Sequence, residues 1–94
     1  MDTRELLALA YERSGYKSWK RFAASVGITD TNFRRIRRGH GLPGDELACT
    51  LAAIAGVDPC TALLQLNVER SEGAARRFYQ KALRERSGPS IAAE

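Results

Sequence analysis

The sequence predicts an all-α domain, and three observations carry that expectation. The chain is rich in alanine, leucine, arginine and glutamate, which favour helix. Apolar residues recur at i, i+3, i+4 and i+7 in successive windows, the pattern of one buried helical face. Runs of β-branched residues bounded by turn residues, the usual signal of strands, are missing. A length of 94 residues suits one small domain with a modest core. Apolar residues make up 44% of the chain but aromatics only 7%, so leucine and alanine must supply most of that core.

Six helical segments follow in order. The first runs from Asp2 to Arg13, with Leu6, Leu7, Leu9, Ala10 and Tyr11 as its apolar stripe. Asp2 or Thr3 can cap its start, and Ser14-Gly15-Tyr16 ends it. Ser18 caps the second, where Trp19, Phe22, Ala23 and Val26 share a face and Gly27 closes the helix. Thr29 or Asp30 opens the third, with Phe33 and Ile36 turned inward. A loop from Gly39 to Gly44 follows. Asp45 is expected to cap the fourth helix, with Leu47, Leu51, Ile54 and Ala55 on one face and Gly56 at its end. Asp58-Pro59 starts the fifth, which buries Ala62, Leu63 and Leu66 and runs to about Glu69. After a break at Ser71-Glu72-Gly73, Ala75, Phe78, Tyr79 and Ala82 repeat the one-face pattern in a sixth helix. Residues 87–94, rich in Ser, Gly, Pro and Ala, are expected to fray.

Charge is unevenly spread. The net charge is +4, yet residues 17–40 hold seven basic residues against Asp30 alone, a net +6 that leaves −2 for the rest. A basic segment on a slightly acidic body is the footprint of a polyanion-binding face; arginine-rich solvated helix faces are also common. Most of this charge lies in the third helix. A small residue (Ala23), a glycine in the turn (Gly27) and two apolar anchors (Phe33, Ile36) form the pattern of a helix-turn-helix. With the anchors inward, Asp30, Thr31, Arg34, Arg35, Arg37 and Arg38 fall outward.

From Lys17 to about Gly56 the sequence resembles the helix-turn-helix of phage repressors and Cro-like regulators. Ser18, Ala23, Gly27, Ile28, Thr29, Phe33, Ile36, Gly39, Leu42 and Pro43 carry the resemblance. A weaker one points to small phage-associated regulators with a further aromatic-bearing helix. The resemblance implies a lambda-repressor-like five-helix domain over residues 1–70 and an additional C-terminal helix over 71–86. It implies a sequence-specific regulator of transcription, a repressor, bound to double-stranded DNA through the helix at 29–38. Base contacts carried over are Asp30, Thr31, Arg34 and Arg35. The family often has an amide where Asp30-Thr31 stands here. Asp30 can accept from cytosine N4 or cap the helix, whereas the Arg35 fork matches guanine O6 and N7. Phosphate contacts fall to Lys17, Ser18, Lys20, Arg37, Arg38 and His40. Trp19 belongs either to the core or against sugar and phosphate.

One recognition helix reads few base pairs, so a homodimer on a palindromic operator is expected. The sixth helix either completes the core against the first and fifth or joins two copies through Phe78, Tyr79 and Ala82. An antitoxin-like protein that also binds and neutralises a protein partner is the alternative reading.

Other classes fit poorly. One histidine, no Gly-rich phosphate loop and no metal-ligand cluster argue against an enzyme, a cofactor or a bound metal. Cys49 and Cys60 form no CxxC and are expected to be small, buried, reduced residues. Charge follows Met1 directly and no apolar run approaches the length of a membrane span, so a cytoplasmic protein, in a bacterial cell by the resemblance, is expected.

Overall fold

Short polar side chains set where the helices begin. The computed structural model describes the backbone of residues 1–92 and the side chains of residues 1–86; the described residues form six helices and no strand. Before α1 (Thr3–Ser14), Asp2 accepts from the Glu5 N–H at 2.7 Å and Glu5 accepts from the Asp2 N–H at 3.1 Å, a reciprocal cap. Ser18 and Thr29 accept from the N–H groups of Arg21 and Asn32, opening α2 (Trp19–Ser25) and α3 (Asp30–Arg37). Asp58 accepts from the Thr61 N–H and precedes Pro59, the first residue of α5 (Pro59–Arg70). The expected cap at Asp45 is corrected. Gly44 holds that position without a side-chain bond, and Asp45 is the first residue of α4 (Asp45–Ala55). Its charge and that of Glu46 lie at the positive end of the helix.

The α2–α3 connection is tight because Gly27 takes a left-handed φ of +76°. The N–H groups of Gly27 and Ile28 bond back to the carbonyls of Ala24 and Ala23 at 3.1 and 3.0 Å. Ile28 packs against the core as the chain leaves the turn.

Burial then joins the helices. Leu6, Leu7 and Ala10 of α1 meet Leu51, Ala52 and Ala55 of α4 and Ala62 of α5, while Phe22, Ala23, Phe33 and Ile36 bring α2 and α3 onto the same core. In α4 the deepest positions are Ala48, Leu51, Ala52 and Ala55; Leu47 and Ile54 lie at the rim. Small side chains let α1 and α4 approach closely. Two polar ties close this layer. The Thr3 N–H and hydroxyl donate to the Glu69 carboxylate at 2.9 and 2.6 Å. Arg13 donates to the carbonyl of Ala55 at the end of α4, where the helix dipole favours a cation.

Among the described residues, the backbone of helix α6 (Gly73–Ala92) comes close to α5 and to no other helix, antiparallel to it. Arg76 donates to the Val68 carbonyl at 3.1 Å near one end, and Arg86 pairs with Asp58 at 2.7 Å near the other. These ties turn Tyr79 and Leu83 toward α5. The expected stripe of Ala75, Phe78, Tyr79 and Ala82 is therefore corrected: Ala75 is exposed, Phe78 is 73% exposed, and Tyr79 and Ala82 are half-buried. Among the described residues the backbone of α6 makes no close contact with α1, though Leu83 lines a small apolar pocket with Thr3 and Leu6. The tail expected to fray from residue 87 is instead helical backbone as far as Ala92, although Gly88 and Pro89 disfavour a helix interior; residues 93 and 94 lie outside the described residues. Cys60 is exposed on the first turn of α5 and Cys49 is half-buried, so neither thiol is in the core as expected.

Two predictions follow from these contacts. Phe33→Ala should cost about 3–5 kcal/mol through the cavity it leaves, and Ala23→Leu about 1–3 kcal/mol by overpacking the α2–α3 approach. Denaturant unfolding measures both; unchanged midpoints would mean the two helices do not meet there. The second concerns acid. A hydrogen bond from Arg86, then one from the Thr61 N–H, hold the Asp58 carboxyl below its ordinary value of 3.8. A lowered folded-state pKa contributes stability that is present above the unfolded value and lost as pH falls through the folded one. Acid unfolding below about pH 4 should therefore contain a component that Asp58→Asn removes.

Candidate nucleic-acid interface

Helix α3 is short, and its ends are defined by bonds rather than by length. Thr29 caps its start. At its finish Gly39 has φ +80°, and the N–H groups of Gly39 and His40 bond to the carbonyls of Ile36 and Arg35 at 3.0 and 2.9 Å. Phe33 and Ile36 are 1% and 5% exposed, so one side of α3 is committed to the core. At about 100° per residue, Thr31 and Arg38 lie directly opposite, with Arg34 and Arg35 to either side of them. All four are exposed.

The flanks of α3 differ. On one, Arg35 and Asn32 line an open cleft of about 480 Å³ with Ile28, Thr29, Leu42 and Glu46. Gly41 brings the following loop close: a Cβ there would stand 3.6 Å from that of Arg35. On the other flank, Arg34, Arg37 and Arg38 line a polar cup with Arg4 from the start of α1.

The aromatic residues fix this arrangement. Trp19 stacks on Tyr11 with ring centroids 3.6 Å apart and lies 5.3 Å from Phe33, while Phe22 meets Phe33 at 6.1 Å. Trp19 is half-buried, and the Arg37 guanidinium lies 4.0 Å from its ring centroid. Of the two roles weighed for Trp19, the core role is met in part: one side of the ring packs on Tyr11 and Phe33, and the Arg37 cation covers it from outside. Arg37, expected to point outward, is instead on a flank, against this ring.

The other nominated residues fall as follows. Asp30 does not cap α3; its carboxylate pairs with Arg34 at 3.1 Å across one helical turn, both groups well exposed. Such a pair is worth little in stability, but it draws Arg34 away from Arg35. Thr31 is exposed on the outermost line. Lys17 and Lys20 are exposed beside Trp19, while the Ser18 oxygen accepts from the Arg21 N–H. His40 is exposed where the loop begins.

Sequence reasoning did not single out Arg4 or Asn32. Asn32 had a local signal, since it precedes Arg35 by three positions. Arg4 had none, because only the tertiary fold brings it to Gly39, where an added Cβ would lie 3.6 Å from Arg4 Nη1. Among the described residues no three His, Cys, Asp or Glu side chains come together as metal ligands, and no helix is long and apolar enough to cross a membrane. Comparison with family models, curated proteins and solved structures finds no match.

Proposed function

We propose that this chain is a sequence-specific double-stranded-DNA-binding regulator of transcription, of the phage-repressor type, that enters the major groove with the helix-turn-helix formed by α2 and α3. The observation that carries the reading is the rotation of α3. Burial of Phe33 and Ile36 leaves Thr31, Arg34, Arg35 and Arg38 exposed on its other side. Among the described residues Arg34 alone of these arginines has a carboxylate partner, Asp30. Unneutralised guanidinium groups on an exposed helix suit a polyanion, and their planar forks suit guanine edges and phosphates.

The roles divide by position. Arg35 reads guanine through O6 and N7, and Asn32 beside it offers an amide suited to adenine N6 and N7. Thr31 faces the groove floor. Arg38, Lys17, Lys20 and His40 contact the backbone, and Ser18 offers its hydroxyl hydrogen. A homodimer doubles this contact set on a two-fold operator. A second reading, a regulator that also neutralises a protein partner in the manner of antitoxins, draws on Phe78, which is 73% exposed on the outermost helix.

Selection from random duplexes should return a defined half-site. On it, Arg35→Ala should cost about 1–3 kcal/mol and relax the preference at one base pair, whereas Arg38→Ala should weaken all sequences alike. With about 4–6 phosphates contacted per subunit, log affinity should fall against log salt with a slope of roughly −4 to −5. Association without salt dependence would sink the reading. Sedimentation addresses Phe78: self-association lost in Phe78→Ser assigns this face to a second copy, whereas a wild-type monomer at every concentration removes the second copy from it.

A further inference from the structure

The arginine cup on the α1 side of α3 is the strongest charged feature the sequence did not reveal. Arg4, Arg34, Arg37 and Arg38 alone line it, around an open space of about 350 Å³. Like charges do not gather in this way without cost. Among the described residues Asp30, paired with Arg34, is the one carboxylate within salt-bridge reach of the four. Arg37 is held from behind by Trp19, 4.0 Å from the ring centroid, and Trp19 is itself stacked on Tyr11. A guanidinium held over an aromatic ring still has N–H groups to offer an acceptor.

We propose that Arg4, Arg34, Arg37 and Arg38 form a seat for one phosphodiester of the DNA backbone, with Trp19 as the positioning residue that presents Arg37 to it. This deepens the DNA-binding reading and rests on it. The geometry argues for a backbone phosphate rather than a base. A helix with its side chains is about 10–12 Å across, and the major groove is about 12 Å wide. Helix α3 therefore fills the groove, and its flanks face the two phosphate walls. The cup opens from one flank toward Arg4 of α1, away from Thr31 on the outermost line, so it faces one strand's backbone. Arg4 enters from α1, outside the groove, where a passing strand would run.

Binding of the full chain to its selected half-site, to single-base-pair variants and to random duplexes, each over a salt series, tests the seat. Arg4→Gln should weaken every duplex by the same factor, roughly threefold to tenfold, with base preference unchanged and a salt slope that falls by less than the roughly 0.9 of a whole phosphate, because three arginines stay on the seat. Trp19→Leu should match Arg37→Gln in its loss. The double variant should lose no more than either alone, and Trp19→Phe should restore part of the binding. Trp19→Phe and Arg37→Gln keep the comparison decisive should Trp19→Leu fail to fold. Arg4→Gln binding as wild type while Arg35→Ala loses base preference would overturn the seat and leave the DNA reading standing. Additive losses at Trp19 and Arg37 would overturn the positioning role. A wild-type chain that retains no duplex would overturn the DNA reading and the seat with it.

Discussion

The contact of Phe33 with Phe22 and Trp19 is the constraint on which the exposed surface depends. Five of the chain's seven aromatic residues take part in one connected set of ring contacts: Tyr11, Tyr16, Trp19, Phe22 and Phe33. That set binds α1, α2 and α3 together. A short helix has little else to fix its rotation about its own axis. With a step of about 100° per residue, a shift in the anchor by one position would carry Arg35 from the cleft into the core. The arrangement of the arginines is thus decided on the opposite side of the helix, by two apolar side chains that touch no ligand.

The same economy appears in the scaffold beneath. The layer of α1, α4 and α5 is built largely from leucine and alanine, and small residues gain close approach at the cost of apolar area per residue. Charged side chains compensate at the margins. Glu69 closes the first turn of α1 through Thr3, and Arg13 closes the last turn of α4. Both ties span distant parts of the chain, so they fix how the helices are offset along one another as well as contributing stability.

Much of the fold was legible in the sequence because its signals are local. Caps at Asp2, Ser18 and Asp58, the glycines after α2 and α3, and the Phe33–Ile36 spacing each act within a few residues, and each marks an element that formed. What was not legible depends on partners remote in sequence. The rotation of α6 follows from Arg76 reaching Val68 and Arg86 reaching Asp58, not from the apolar spacing of residues 75–82. The deep stripe of α4 follows from how near α1 comes, which favours Ala48 and Ala52 over Leu47 and Ile54. Arg4 entered the candidate site because α1 passes near the end of α3, and Arg37 lies on the flank of α3 against Trp19 of α2. The division of the arginines between two flanks was legible in part, since helical geometry separates Arg35 from Arg34 and Arg38 but says nothing of Trp19 beneath Arg37.

The attachment of α6 to α5 has a bearing on motion. Among the described residues its backbone comes close to α5 and to no other helix, and its ties to α5, at Asp58 and Val68, are themselves exposed. The hairpin can therefore part while the α1–α4 layer stays intact. Backbone amides of α6 then exchange with solvent hydrogen through this local opening, at a free energy below that of global unfolding. Amides of α1 and α4 must wait for the whole domain. Faster exchange in α6 than in α1 and α4 is the expected consequence, with the arginine surface carried by the more persistent inner layer.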